Sequence, residues 1–451
     1  MMTLLSFVTA IVVLVAFHEY GHYWVARLCG VKVLRFSIGF GKVLYSKRFA
    51  GGETEWSLSA IPLGGYVKML DEREGEVKPE ELSRAFNRQP VLKRMAIVIA
   101  GPLANLLLAV LFYWILFIYG VPGVKPILGN IPPGTAAATA QLQTQQTIKS
   151  INGIDTPSWQ DVRWVLLDSV LQEGAANLEI VNTQGETLFR ELNISSLNAA
   201  DLDTDFLRKL GLQPFQPLIR PVIGKLIEGG VAQRAGLHLD DLILSANGVS
   251  IENWETWVNV VRSHPGKLML LEVKRDGHVL TLEMTPESVA DGETQIGRIG
   301  AAPLIDQKEF DALTTVVSYS PMNALMQAGR KTWETSVVSL QMMGRMIMGQ
   351  ISLKNLSGPI TIADYAGQSA EMGLGAYISF LALISISLGV LNLLPIPLLD
   401  GGHLLYYTVE LIKGSPVPES LWDAGQKIGV ALLFTLMALA LFNDLSRLIL
   451  N

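Results

Sequence analysis

The 451-residue sequence predicts a multi-domain membrane protein: four transmembrane helices, with a duplicated β-rich α+β region outside the bilayer. Three observations carry this. Apolar residues make up 49% of the chain and charged residues only 17%, against about 25% in an average soluble domain. Four segments are candidates for crossing a bilayer, which takes about 20 mostly apolar residues. Between the second and third, the chain repeats itself at an offset of 95 residues. The net charge of −6, with no basic cluster, gives no basis for nucleic-acid binding. The single cysteine, Cys29, allows neither an internal disulfide nor a Cys-rich zinc site.

The first span is expected within residues 1–30, at about Leu4 to Arg27. No Lys or Arg precedes Arg27, so the basic n-region of a signal peptide is missing. Its clean apolar part ends at Phe17, so a crossing helix must include His18, Glu19 and His22 of "LVAFHEYGHYWVA". A spacing of four puts His18 and His22 on one helix face, where both imidazoles reach one Zn²⁺. Glu19, rotated by about 100°, suits a base beside the metal better than a third ligand. Ionisable groups in a span are costly and usually functional. The competing reading is hydrogen bonding between helices.

Residues 31–94 form the first loop, with twelve Lys/Arg, four of them (Arg84, Arg88, Lys93, Arg94) crowding the next span. A short basic loop stays in the cytoplasm. Both termini and the long segment from Gly120 to Glu371 are then outside, and His18 and His22 lie toward the cytoplasmic end of the first span. In this loop "FSIGFGKVLYS" and "EWSLSAIPLGGYVKML" are β-rich and punctuated by glycine. The second span, 95–120, is the strongest, with Asn105 its one strongly polar residue.

The external region divides into 121–215 and 216–305. "PILG" (Pro126 to Gly129) falls on "PVIG" (Pro221 to Gly224), "SING" (Ser150 to Gly153) on "SANG" (Ser245 to Gly248), and Trp159 on Trp254. Asn-Gly between apolar runs marks a tight turn; helically spaced and then strand-like runs follow each. Each unit resembles a PDZ domain of the bacterial, protease-associated kind. That resemblance implies that Pro-x-x-Gly forms a loop for a carboxylate terminus, with a peptide adding as a strand beside it. The competing reading is a spacer domain with an unused groove. Residues 306–371 connect to the third span; within them Thr335 to Ile351, Met-rich and interrupted by Arg345, reads as an amphipathic helix on the membrane surface.

The third span, 372–395, holds Ser379, Ser385, Ser387 and Asn392; the fourth, 428–446, is short and centred on Ile428 to Phe442. Between them the cytoplasmic segment 396–427 carries most of "LNLLPIPLLDGGH", Leu391 to His403. Asp400 follows two prolines, where a helix has broken. Irregular backbone at membrane depth is tolerated where it lines an enclosed or watery cavity, and a carboxylate there is costly without a cation. Catalytic zinc takes three protein ligands and keeps an open position. His238, His264 and His278 lie on the other side of the membrane, so Asp400 is the leading third ligand. The alternatives are Asp400 as a helix N-cap before Gly401 and His403 as the ligand.

HExxH in the first span, Asn-x-x-Pro-x-Pro-x-x-Asp-Gly after the third, and PDZ units between the second and third together resemble the site-2 protease family, in its proteobacterial two-PDZ type. The resemblance covers nearly the whole chain. It implies an intramembrane metalloprotease core of four transmembrane helices, two tandem PDZ domains and a small membrane-associated β-sheet. It implies one Zn²⁺ held by His18, His22 and Asp400, with Glu19 activating water. Asn392 matches an asparagine that contacts the substrate backbone. The segment Gly64 to Met69, including Gly65, Tyr66, Val67 and Lys68, matches a strand edge offered to an unwound substrate. "IAGPLAN" (Ile99 to Asn105) matches a second-span motif in which Gly101 and Pro102 allow close packing; Asn105 either reaches toward the site or is a structural hydrogen bonder. "NLSGP" (Asn355 to Pro359) also matches, with no chemical role assigned. The implied substrates are single-span type II membrane proteins, such as a trimmed anti-sigma factor, and signal-peptide remnants; peptide termini would visit the PDZ grooves, which gate access. The implied location is the bacterial inner membrane. Two rivals differ in class. A non-catalytic PDZ scaffold with a structural metal needs a fourth ligand, and a metal transporter needs several polar spans.

Overall fold

The computed structural model describes residues 2–49, 52–171, 175–195, 206–291, 294–305, 307–349 and 357–450. The chain divides into two compact units, Met1–Val121 with Ser318–Asn451, and Pro122–Val317.

The first unit contains α1 (Met2–Leu28), the strands β1 (Val33–Arg48) and β2 (Glu55–Met69), α2 (Val91–Tyr119), α3 (Pro321–Ile347), α4 (Pro359–Glu371), α5 (Leu374–Asn392), α6 (Asp400–Lys413) and α7 (Glu419–Leu450). Four of these helices, α1, α2, α5 and α7, are long and apolar enough to cross a membrane. They expose large apolar side chains such as Leu4, Leu107 and Phe434, surface that lipid covers at little cost. The fourth helix runs well beyond Ile428 to Phe442, because the polar flank from Glu419 onward is helical too.

Helix α2 is the hub: it packs against α1, α3, α5 and α6. The stretch from Thr335 expected to lie on the surface is the second half of α3, which begins at Pro321. Ala324, Ala328 and Thr332 of its first half and Ser336 of its second, four apart and therefore on one face, are buried against α2 and α5, while the stretch from Thr335 onward exposes Val338, Leu340 and Met342 on its other side. Residues 350–351 of that stretch, like Asn355 and Leu356 of "NLSGP", lie outside the described residues. Gly358 and Pro359 open α4. The backbone N–H groups of Gly358, Ile360 and Thr361 donate to the buried Asp444 carboxylate of α7 at 3.0, 2.9 and 3.1 Å, an anion placed where a helix N-terminus wants one. A Cβ at residue 358 would come within 2.6 Å of Asp444 Oδ2, which explains the glycine.

In the hairpin, β1 pairs antiparallel with two parts of β2. Phe36 faces both Val67 and Trp56, and Ser37 faces both Tyr66 and Ser57. The first half of β1 therefore lies between residues 55–58 and 65–69, which leaves 65–69 paired on one side only.

The second unit holds two copies of one topology. Sheet order is Ile154–Asp155, Thr147–Ile151, Ala175–Val181, Thr187–Asn193 in the first copy, and Val249–Ser250, Leu242–Ala246, Met269–Arg275, His278–Met284 in the second. Asn152-Gly153 and Asn247-Gly248 have φ of 51°, 78°, 50° and 77°, the positive pair that a type I′ hairpin turn needs. Each copy has its own core, one around Ile148, Leu166 and Leu178 and the other around Ile243, Trp257 and Leu271. Gln146 and Asp241 occupy matching positions and do the same job, accepting the backbone N–H of Gln143 (2.9 Å) and His238 (2.8 Å). Only Asp241 also holds an arginine, Arg275, through two 2.7 Å bonds.

Both Pro-x-x-Gly segments are already flanked by the chain itself. Ile127 and Leu128 pair with Thr147 and Pro214, and residues 222–226 pair with Leu242 and with Ala301–Pro303.

Candidate metal centre and active site

Helix α1 stays unbroken through His18, Glu19 and His22. Gly21 lets this helix lie close against α2: a Cβ there would sit 2.7 Å from Ala104 Cβ, so a side chain would push α1 away from α2. The third contributor arrives from a different geometry. Helix α5 stops at Asn392, and the prolines of "LLPIPLL" keep the chain irregular until α6 begins at Asp400. Leu398 adopts φ 85°, a conformation that non-glycine residues enter at a cost, as happens near functional sites. A side chain at Gly401 would collide with the Leu393 and Leu394 carbonyls, and a Cβ at Gly402 would lie 2.8 Å from Pro397 Cα. The two glycines let α6 start hard against the preceding turn.

Asp400 is the first residue of α6, not its N-cap; that position belongs to Leu399. Asp400 Oδ2 lies 3.2 Å from His18 Nε2 and 3.5 Å from His22 Nε2, and the two Nε2 atoms are 3.2 Å apart. Among the described residues these three form the one His/Cys/Asp/Glu group compact enough for a metal ion. His403 is outside the group. It lines the same cavity, 5.3 Å from the Trp422 ring, and burial pushes its imidazole below the usual value.

The surroundings fit a divalent ion. His22 Nδ1 lies 2.8 Å from the Ile97 carbonyl oxygen. A carbonyl only accepts, so Nδ1 carries the proton and Nε2 keeps its lone pair toward Asp400. The Asn105 amide lies 3.2 Å from His18 Nδ1. A Cβ at Gly101 would come within 2.6 Å of His22 Cε1 and 2.8 Å of His18 Nε2, so glycine keeps open the space that the three donor atoms face. Two imidazoles and a carboxylate are a usual donor set for catalytic zinc. Pro102, next in sequence, offers no N–H to the carbonyl one turn earlier, that of Val98, which lines the cavity.

The donors open into a cavity of about 810 Å³, lined also by Glu19, Gly65, Tyr66, Val67 and Asn392. A Cβ at Gly65 would be 2.9 Å from Glu19 Cγ, so the one-sided strand segment passes directly over the glutamate. Lys68 is not among the lining residues: it is exposed, with its ammonium 3.9 Å from Glu74. Sequence reasoning missed the Ile97 carbonyl, since a backbone group leaves no trace in residue type. It also missed Arg94, Glu410 and Tyr407, which join α2 to α6; an arginine and a glutamate buried beside an apolar span are the signal that was there to read.

The model of peptidase family M50 matches residues 6–436. Protease RseP of Yersinia pestis is 44% identical over 451 residues, covering 99% of both chains. Regulator of sigma-E protease RseP of Escherichia coli K12 is 44% identical over 447 residues, covering 99% of this chain and 98% of its own. A Neisseria meningitidis protein, whose name describes a zinc metalloprotease, is 43% identical over 450 residues and the full length of both.

Proposed function

Because the chain belongs to peptidase family M50, we propose that His18, His22 and Asp400 are the zinc ligands of this membrane metalloprotease and that Glu19 is its base. The observation that carries the reading is the meeting of those three donors at one wall of a cavity that Glu19 also lines. Bound there, zinc supplies Lewis acidity, lowering the pKa of a water toward ~7 and drawing charge from the scissile carbonyl. Glu19 takes the proton from the attacking water and returns it to the leaving amine. The edge at Gly65, Tyr66 and Val67 holds an unwound substrate by strand addition, replacing helix bonds the substrate has lost. Asn392, at the end of α5 in the same cavity, holds the substrate backbone from the other side. The site sits toward the cytoplasmic face, from which water reaches it.

The relatives named as regulators of sigma-E favour a single-span membrane protein, such as a trimmed anti-sigma factor, as substrate, with signal-peptide remnants as a second class. The two copies in Pro122–Val317 are read as tandem PDZ domains on the periplasmic side that gate access. The matching Pro-x-x-Gly segments and the shared sheet order support this. In the second copy a cavity of about 590 Å³, lined by Trp257, Val261, Gly300 and Ala301, suits a peptide end.

The test is cleavage of a single-span model substrate by purified protein, wild type beside Glu19→Gln, with zinc assayed in both. Glu19→Gln should keep zinc and lose roughly 10²–10⁴-fold in rate. Retained cleavage would overturn the role of Glu19, and zinc absent from wild type would overturn the metal assignment.

A further inference from the structure

The face of α2 turned toward the metal ligands works as a ruler. Asn105 meets His18, Gly101 leaves the metal space free, and Ile97 meets His22. One turn before Ile97 stands Arg94. Its Nη1 and Nη2 donate to Glu410 Oε2 and Oε1 at 3.1 and 2.6 Å, a two-pronged pair with both side chains only 11% exposed. Its Nε donates to the Gln89 carbonyl at 3.0 Å, and its guanidinium lies 4.8 Å from the centre of the buried Tyr407 ring. Glu410 and Tyr407 belong to α6, the helix whose first residue is Asp400.

Neither charge serves its own helix. Arg94 is in the first turn of α2, at the positive end of the helix dipole, and Glu410 is in the last turn of α6, at the negative end. Both placements oppose the dipole. Burial adds a desolvation cost, and the bidentate pair is the contact that neutralises both charges against it. A contact that is unfavourable within each helix and made only between them fixes where the helices sit. α2 already fixes both histidines. The pair therefore references the third ligand to the same ruler, although Asp400 is carried by a different helix.

We propose that Arg94 and Glu410 are positioning residues for the metal site: their ion pair holds α6 so that Asp400 meets His18 and His22. The inference rests on the zinc reading above. It is distinct from general stability, because it demands a loss at the metal greater than any loss of fold.

The experiment uses the full chain in detergent. Zinc affinity is measured by chelator competition, cobalt(II) replaces zinc as a spectroscopic probe, and thermal unfolding of the zinc-free protein reports fold. Four variants are compared: Glu410→Gln, Arg94→Lys, the charge swap Arg94→Glu with Glu410→Arg, and the apolar pair Arg94→Met with Glu410→Met. Glu410→Gln is expected to weaken zinc by about tenfold or more, the range seen when outer partners of ligands are lost. The cobalt visible bands should change as the carboxylate withdraws. Arg94→Lys, which keeps the charge but not the fork, should fall in between, and the swap should recover affinity. The apolar pair decides the case if a single variant does not fold, since it leaves no unpaired buried charge. A folded Met–Met protein with wild-type zinc affinity and wild-type cobalt bands would overturn the inference. A wild type that takes up no zinc would sink the zinc reading and this inference together; a zinc-binding wild type beside an unchanged Met–Met protein sinks this one alone.

Discussion

Nδ2 of the buried Asn105 lies 3.2 Å from Nδ1 of the buried His18, while Asn105 Oδ1 has no partner among the described residues, an arrangement that turning the amide over reverses. For His18 to offer Nε2 to zinc, Nδ1 must carry the proton, and Asn105 must then face it with Oδ1 as acceptor. Asn105→Asp, which can only accept while ionised, should hold zinc. Asn105→Leu should lose about 10- to 100-fold in zinc affinity. Equal loss in both variants, measured by chelator competition, would mean that His18 needs an N–H from Asn105 and does not bind metal through Nε2.

Gly101→Ala separates metal chemistry from helix propensity. Alanine favours a helix over glycine by about 1 kcal/mol, so propensity alone predicts an equal or more stable α2. The new methyl would point at His18 Nε2 and His22 Cε1. The expected outcome is a folded protein with zinc well below one per chain by elemental analysis and no cleavage. Full zinc occupancy would remove Gly101 from the site.

Asp444→Ala should destabilise the first unit. It strips a buried carboxylate from the N–H groups of Gly358, Ile360 and Thr361. Each lost hydrogen bond to a charged group is worth about 1.5–3 kcal/mol, and they are shared on one side chain, so a total near 3 kcal/mol is expected. Asp444→Asn should recover part of it. Hydrogen exchange at the start of α4 is the readout; unchanged protection there would refute the cap.

In the second of the two repeated copies, Asp241 is buried, and its two bonds to Arg275 and one from His238 outweigh burial, holding its carboxyl below the usual value. A depressed folded pKa stabilises above the unfolded value, about 3.9, and that stabilisation is lost as pH falls through the folded value. Asp241→Asn should cost about 2–3 kcal/mol near neutral pH, at the low end for a broken buried pair because Arg275 is 22% exposed. The gap from wild type should close as pH drops below the ordinary Asp range. Hydrogen exchange of the Met269–Arg275 strand at several pH values tests this; a gap that widens on acidification would contradict it.

Much of the site was legible because its chemistry sits in residue types that a membrane rarely tolerates. His18, Glu19 and His22 stand out against apolar neighbours, and Asp400 stands out after Pro395 and Pro397. Gly101 was legible as a packing residue; that it also leaves room in front of His18 and His22 depends on where two histidines point. Asn105 was legible as polar but not as the partner of His18. Lys68 was taken with its strand neighbours, yet its side chain turns to Glu74.

The sequence by itself determined the four apolar spans, the HExxH face, the broken segment before Asp400 and the duplicated copies, since hydropathy, a spacing of four, proline and Asn-Gly turns act over a few residues. The tertiary structure decided what depends on contacts between distant segments. Asp400 opens α6 and faces the histidines rather than capping a helix, α3 packs on α2 and α5, and the Pro-x-x-Gly segments pair with distant residues of the chain itself. The Ile97 carbonyl and the Arg94–Glu410 pair belong to the same class. Such features arise when packing removes water and leaves each buried polar group to find a partner, and that partner is chosen by the fold, not by neighbours in the chain.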